Sequence, residues 1–179
     1  MMTQRSTTKQ YGRIAQAFHW LSAILILIMW PLGIIMTRIS EDSATQLYRA
    51  HISLGMIVLV LTVLRLIWLF IDKHPEPPAG MEPWRNQLFI WNHRLLYIGL
   101  LMLSVSGIVM LIASGISLPP ISVAPDAITA SVPQQAHSTL SKIFIALLLM
   151  HIGGVLSYHF TKGNTLARMG LPIQSPKGH

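Results

Sequence analysis

The chain has no cysteine. That absence excludes disulfides, cysteine-ligated iron–sulfur clusters and thioether attachment of a prosthetic group. Acidic residues are scarce, six in 179, and charged residues make up only 11% of the chain. A domain of this size with 52% hydrophobic residues is too apolar to be an ordinary water-soluble protein. The net charge of +7 does not point to nucleic acid. The basic residues are scattered and flank apolar runs instead of lining one face.

What is present in quantity is apolar sequence, in four runs at about 14–36, 48–71, 88–113 and 138–161. A hydrocarbon core of roughly 30 Å needs about 20 helical residues, and each run is long enough. The expected fold class is therefore all-α, an integral membrane four-helix bundle forming one domain over 1–179. Asn92, His93 and Arg94 make the start of the third run ragged. Pro31 within the first is tolerable in a membrane helix. Prolines punctuate the connectors, at 75, 77, 78 and 83 and again at 119, 120, 125 and 133. The basic start with Arg5, Lys9 and Arg13 resembles a signal peptide only superficially. The run that follows is too long, and no small-residue cleavage site ends it, so a retained helix is expected. No internal repeat is visible.

Basic residues set the orientation. Arg5, Lys9, Arg13, Arg65, Lys73, Arg85, Arg94, Lys162, Arg168 and Lys177 fall on one side, and Arg38, Arg49 and Lys142 on the other. This asymmetry puts both termini in the cytoplasm. The tail after Lys162 mixes Leu166, Met169 and Leu171 with basic residues and suits an interfacial position.

The histidines are the informative residues. His137 and His151 are fourteen apart in the fourth run. Fourteen residues are about four helical turns, so both rings leave one face, roughly 21 Å apart along the axis. His19 lies near the cytoplasmic start of the first run, and His51 near the outer start of the second. Depth then pairs His19 with His151, and His51 with His137. Two imidazoles from different helices at each of two levels are what two six-coordinate heme irons need. Without cysteine, such hemes would be held without covalent links to the protein. Interfacial histidines with satisfied hydrogen bonds are the plain alternative. Zinc or copper is another, although zinc gathers its ligands around one ion.

Neighbouring residues add detail. Gly55 and Gly154 follow His51 and His151 by four and three positions. They give either clearance for a flat macrocycle or ordinary glycine packing between helices. Arg65 is fourteen after His51, on the same face and at the level of His19 and His151. A buried arginine needs an anion, and a heme propionate would serve. The alternative is an arginine snorkelling to the inner headgroups. His93 and His159, near the cytoplasmic side, are candidates to bond a quinone carbonyl or relay a proton, or are simply interfacial. His74 and His179 are expected to be solvated.

The stretches Tyr11–Leu21 (YGRIAQAFHWL), Ala50–Gly55 (AHISLG), His93–Tyr97 (HRLLY) and His159–Met169 (HFTKGNTLARM) resemble the bacterial cytochrome b561 family. That family comprises four-helix di-heme proteins of the inner membrane, and includes a superoxide oxidase that passes electrons to ubiquinone. The resemblance covers nearly the whole chain. It implies axial ligands at His19, His51, His137 and His151, a basic residue at Arg65 and a third-helix histidine at His93. The sequence departs from the family at Tyr158 and Gly163, where a histidine and an acidic residue are common. It departs again at Ser106 or a neighbouring serine, where proline is common. These departures bear on quinone binding and proton delivery.

The expected function is electron transfer across the inner membrane, from a periplasmic donor through two heme b groups to ubiquinone. The alternative is an electron-transfer and anchoring subunit of a dehydrogenase or hydrogenase-like complex. Lipid and quinone are the expected partners. Superoxide as the donor rests on resemblance. Arg38, Arg49 and Lys142 are balanced on the outer side by Glu41, Asp42 and Asp126, so no positive funnel is evident in the count.

Overall fold

The computed structural model describes residues 4–73, 75–77, 81–116, 128, 131–163, 165–171 and 173, without the side chains of 41–43. His74 and His179 lie outside them. Among the described residues every regular element is a helix. Four long helices, α1 (Arg13–Met36), α2 (Glu41–Ile71), α3 (Pro83–Ala113) and α4 (Val132–Thr161), precede a single turn, α5 (Thr165–Arg168). Each long helix is long and apolar enough to cross a membrane.

Three of these helices begin earlier than the apolar runs. α2 starts at Glu41 instead of 48, α3 at Pro83 instead of 88, and α4 at Val132 instead of 138. Hydropathy marks what lipid tolerates, whereas helix ends are set by capping. The Ser40 carbonyl accepts the Ala44 N–H at 2.9 Å. Pro83 opens α3, where a missing N–H costs nothing. The Ser131 hydroxyl caps α4 by accepting the Gln134 N–H at 3.3 Å. Asn92 and His93 are consequently well inside α3, and not at its ragged start. α3 stops where Gly115 turns left-handed at φ 67° and the Ile116 N–H returns to the Leu111 carbonyl at 3.0 Å.

Apolar side chains cover the outside of these helices. Ile24, Leu27, Ile57, Val60, Ile98 and Leu149 are all exposed, as a lipid-facing surface requires. The chain packs as two compact units, one of Met1–Trp20, Leu64–Ile98 and Ile145–His179, the other of Leu21–Val63 and Gly99–Phe144. Segments of all four long helices enter each.

The first unit is tied by polar contacts. Asp72 accepts the Ser6 hydroxyl at 2.5 Å, the Ser6 N–H at 3.0 Å and the Trp68 indole N–H at 3.1 Å. The Arg168 guanidinium donates to the carbonyls of Lys9 and Glu76. The Trp20 indole donates to the Met169 carbonyl at 2.8 Å. Arg168 and Met169 are thus tied to Lys9, Glu76 and Trp20. Asn92, nearly fully buried, donates to the Leu147 carbonyl at 3.1 Å and pins α3 to α4. The second unit has an apolar core instead, built from Ala44, Tyr48, Ile52, Met110, Leu111 and Ile128.

Candidate functional site

In the first unit, α1 and α4 bring His19 and His151 together, with ring centres 6.3 Å apart. α3 adds His93, whose ring centre is 4.7 Å from that of His151. The His93 Nδ1–H donates to the Phe89 carbonyl at 2.8 Å. A carbonyl only accepts, so the Nδ1 nitrogen holds the proton and Nε2 keeps its lone pair. α2 adds Arg65, whose Nη2 donates to His19 Nδ1 at 2.9 Å. Its guanidinium also lies over the Tyr97 ring, 5.1 Å from the centroid. Neither neighbour is anionic, so the contacts of this half-buried cation leave its charge unmatched.

His159 has no exposed surface, and neither ring nitrogen has a hydrogen-bond partner. Asn86 Oδ1 and Thr165 Oγ1 in the same unit are also buried without partners. Native interiors rarely leave such atoms unsatisfied, and the exceptions call for a function. Thr165 was marked only as part of the His159–Met169 stretch, and Asn86 carried no signal in the sequence, since neither residue type nor spacing marks burial near a helix end.

In the second unit, His51 of α2 and His137 of α4 have ring centres 6.4 Å apart. His51 Nδ1 is buried without a partner. His137 Nδ1 lies 2.9 Å from the Ser106 hydroxyl. Two glycines that sequence reasoning passed over border these rings. A Cβ on Gly33 would stand 3.2 Å from His51 Cε1, and one on Gly107 would stand 3.4 Å from His137 Cε1. Gly55 and Gly154 behave differently. A Cβ on Gly55 would meet only Met29 Cε, at an ordinary 3.5 Å, and one on Gly154 would meet nothing within 4 Å. No helix presses on Gly154, which removes helix packing as its role.

The signal for the missed glycines was present. Gly33 is fourteen after His19, and Gly107 fourteen after His93, as Arg65 follows His51 and His151 follows His137. Each of the four long helices therefore places one residue of such a fourteen-spaced pair in each unit. One set reads His19, Arg65, His93 and His151. The other reads Gly33, His51, Gly107 and His137.

An imidazole nitrogen bonds a transition metal at roughly 2 Å, so two rings on opposite sides of one metal stand roughly 6 Å apart, centre to centre. Both pairs have that separation. Glycine beside one pair and a cation lacking an anion both fit a planar, anionic porphyrin. Zinc fits poorly. Among the described residues no group of three or more His, Asp or Glu side chains could hold a metal ion directly.

Four apolar helices that carry paired imidazoles match one class of protein, membrane proteins that hold a redox cofactor between helices. Comparison narrows the class. The profile of the prokaryotic cytochrome b561 family matches residues 10–171. The chain belongs to this family, whose members are membrane electron-transfer proteins that bind heme b. It is 29% identical to "Cytochrome b561 homolog 2" of Escherichia coli (strain K12), over 94% of this chain and 95% of that one. It is 25% identical to "Probable superoxide oxidase CybB" of Yersinia pestis, over 90% of this chain and 96% of that one.

Proposed function

We propose that the protein holds two heme b groups and oxidises superoxide at the expense of ubiquinone. The observation that carries the di-heme part is the pair of ring separations, 6.3 and 6.4 Å, each a distance at which both imidazoles could hold one iron. His19 and His151 would hold one group, and His51 and His137 the other. When bound, heme b supplies one-electron chemistry at iron. The side chains bind, orient and exclude water. Arg65 would exchange its neutral neighbours for a propionate, the anion its charge lacks. Gly33 and Gly107 let the neighbouring helices approach the His51 and His137 rings without a side chain between.

The overall reaction balances simply. Two superoxide anions each lose one electron and become dioxygen. One ubiquinone gains both electrons and two protons and becomes the quinol. His159 supports the quinone half. A buried imidazole without partners can donate a hydrogen bond to a quinone carbonyl and pass on a proton. His93, with Nδ1 committed to Phe89, keeps Nε2 available to accept one. Superoxide as donor is supported by the relative of that name. The basic residues around the inner ends of the helices favour an inner-membrane protein with both termini in the cytoplasm.

The test is a reduced-minus-oxidised visible spectrum of the purified protein, with heme counted per chain as the pyridine hemochrome. Two low-spin b hemes per chain are expected. Superoxide-dependent formation of ubiquinol by the protein alone is the second readout. One heme or none would end the di-heme reading. Two hemes without superoxide-driven quinol formation would leave an electron carrier that takes its electrons from another protein.

A further inference from the structure

We propose that Ser106 is a positioning residue for the iron held by His51 and His137. Its hydroxyl keeps His137 in the tautomer that can bind metal, and makes that ligand a stronger donor to iron. The inference rests on the di-heme reading above and extends it to a residue that contacts no iron.

The proton count decides it. Ser106 Oγ donates to the Leu103 carbonyl at 2.8 Å. A hydroxyl has one proton, and this one is committed. The 2.9 Å contact between Ser106 Oγ and His137 Nδ1 must therefore run the other way, with Nδ1–H donating and the hydroxyl oxygen accepting. That bond requires the proton on Nδ1. A neutral imidazole has one such proton, so Nε2 is left with its lone pair for a metal.

The hydroxyl back-bonding of a helical serine is common and by itself means little. Here the same oxygen has a second partner, and that partner belongs to a pair with metal-ligand spacing. The opposite ring differs, since His51 Nδ1 is buried with no acceptor. A hydrogen bond to the ligands of this iron would thus come from one side, through Ser106. An imidazole that donates Nδ1–H to an acceptor is more basic at Nε2 and favours the oxidised metal. Ser106 therefore lowers the potential of this heme, and its loss raises it.

The experiment compares wild type, Ser106→Ala and Ser106→Thr, each purified with heme and counted as hemochrome. Midpoint potentials come from redox titration, and ligand geometry from the low-temperature EPR of the oxidised form. His51→Ala identifies which titration step belongs to the site. Ser106→Ala should retain two hemes and shift that one step upward. The expected change is about tenfold in the oxidised-to-reduced ratio, which is about 59 mV for a one-electron couple. Ser106→Thr, which keeps the hydroxyl, should restore the wild-type value. An unchanged potential in Ser106→Ala overturns the proposal, as does a shift confined to the other heme. An equal shift in Ser106→Thr also overturns it, because packing alone would then be the cause. Fewer than two hemes in wild type would instead refute the reading on which the proposal depends.

Discussion

Gly33→Ala tests whether the second unit is built around the His51 ring. The new methyl carbon would stand 3.2 Å from His51 Cε1. Carbon atoms rest at about 3.5–4.0 Å, so the ring or α1 must retreat by a few tenths of an ångström. Extra volume forced into packed structure costs about 1–3 kcal/mol. The exchange also brings a helix-propensity gain of about 1 kcal/mol, and a control must remove it. Gly153→Ala is that control. It is an exposed mid-helix position on α4 where a Cβ meets nothing within 4 Å. The propensity gain is common to both variants and cancels, leaving Gly33→Ala less stable than Gly153→Ala by about 1–3 kcal/mol. Gly107→Ala, at 3.4 Å from His137 Cε1, should fall between them. Thermal melts of the three variants in one detergent give the order. In the heme-loaded form Gly33→Ala should also alter the EPR signal of one heme and spare the other. Equal stability of Gly33→Ala and Gly153→Ala would show that the ring moves aside freely, and would refute a site organised by that close approach.

Other substitutions separate the roles assigned above. His151→Ala should lose the heme shared with His19 and keep the one shared by His51 and His137. Hemochrome counting checks this, and loss of both without misfolding, or of neither, would break the pairing. His159→Phe should fold at least as stably as wild type, because it removes two buried nitrogens that have no partner. Quinone reduction should nevertheless fall, and clear destabilisation with normal turnover would reverse the assignment. Asp72 should make the N-terminal junction sensitive to acid. Partial burial works against its charge, but hydrogen bonds from Ser6 and Trp68 outweigh this and hold the carboxyl below its ordinary 3.8. A lowered value in the fold means the stabilisation is complete above 3.8 and is lost as pH falls through the lower folded value. Proteolysis of the N-terminal segment should rise over that acidic range in wild type and be independent of it in Asp72→Asn.

The sequence by itself determined the helices and the level of each residue along them. Four apolar runs dictate four membrane-crossing helices, because lipid offers no partner for a free backbone group. The fourteen-residue spacing follows from 3.6 residues per turn, which returns a side chain to the same face after about four turns. Depth and face therefore made His19, His51, His137, His151 and Arg65 legible before any coordinates. Helix ends were less legible, as Glu41, Pro83 and Val132 show, because capping and hydropathy answer to different neighbours.

The tertiary structure decided what periodicity cannot contain, namely which atoms meet and which meet nothing. It chose Gly33 and Gly107 over Gly55 and Gly154 as the glycines that border a histidine. It turned one of two nearby serines into the acceptor that fixes the His137 tautomer. It also buried His159 completely at a position the sequence allowed to be interfacial. Contacts of this kind depend on the rotation of each helix about its axis and on the side chains of another helix. A helical repeat leaves both undetermined, and packing between helices settles them.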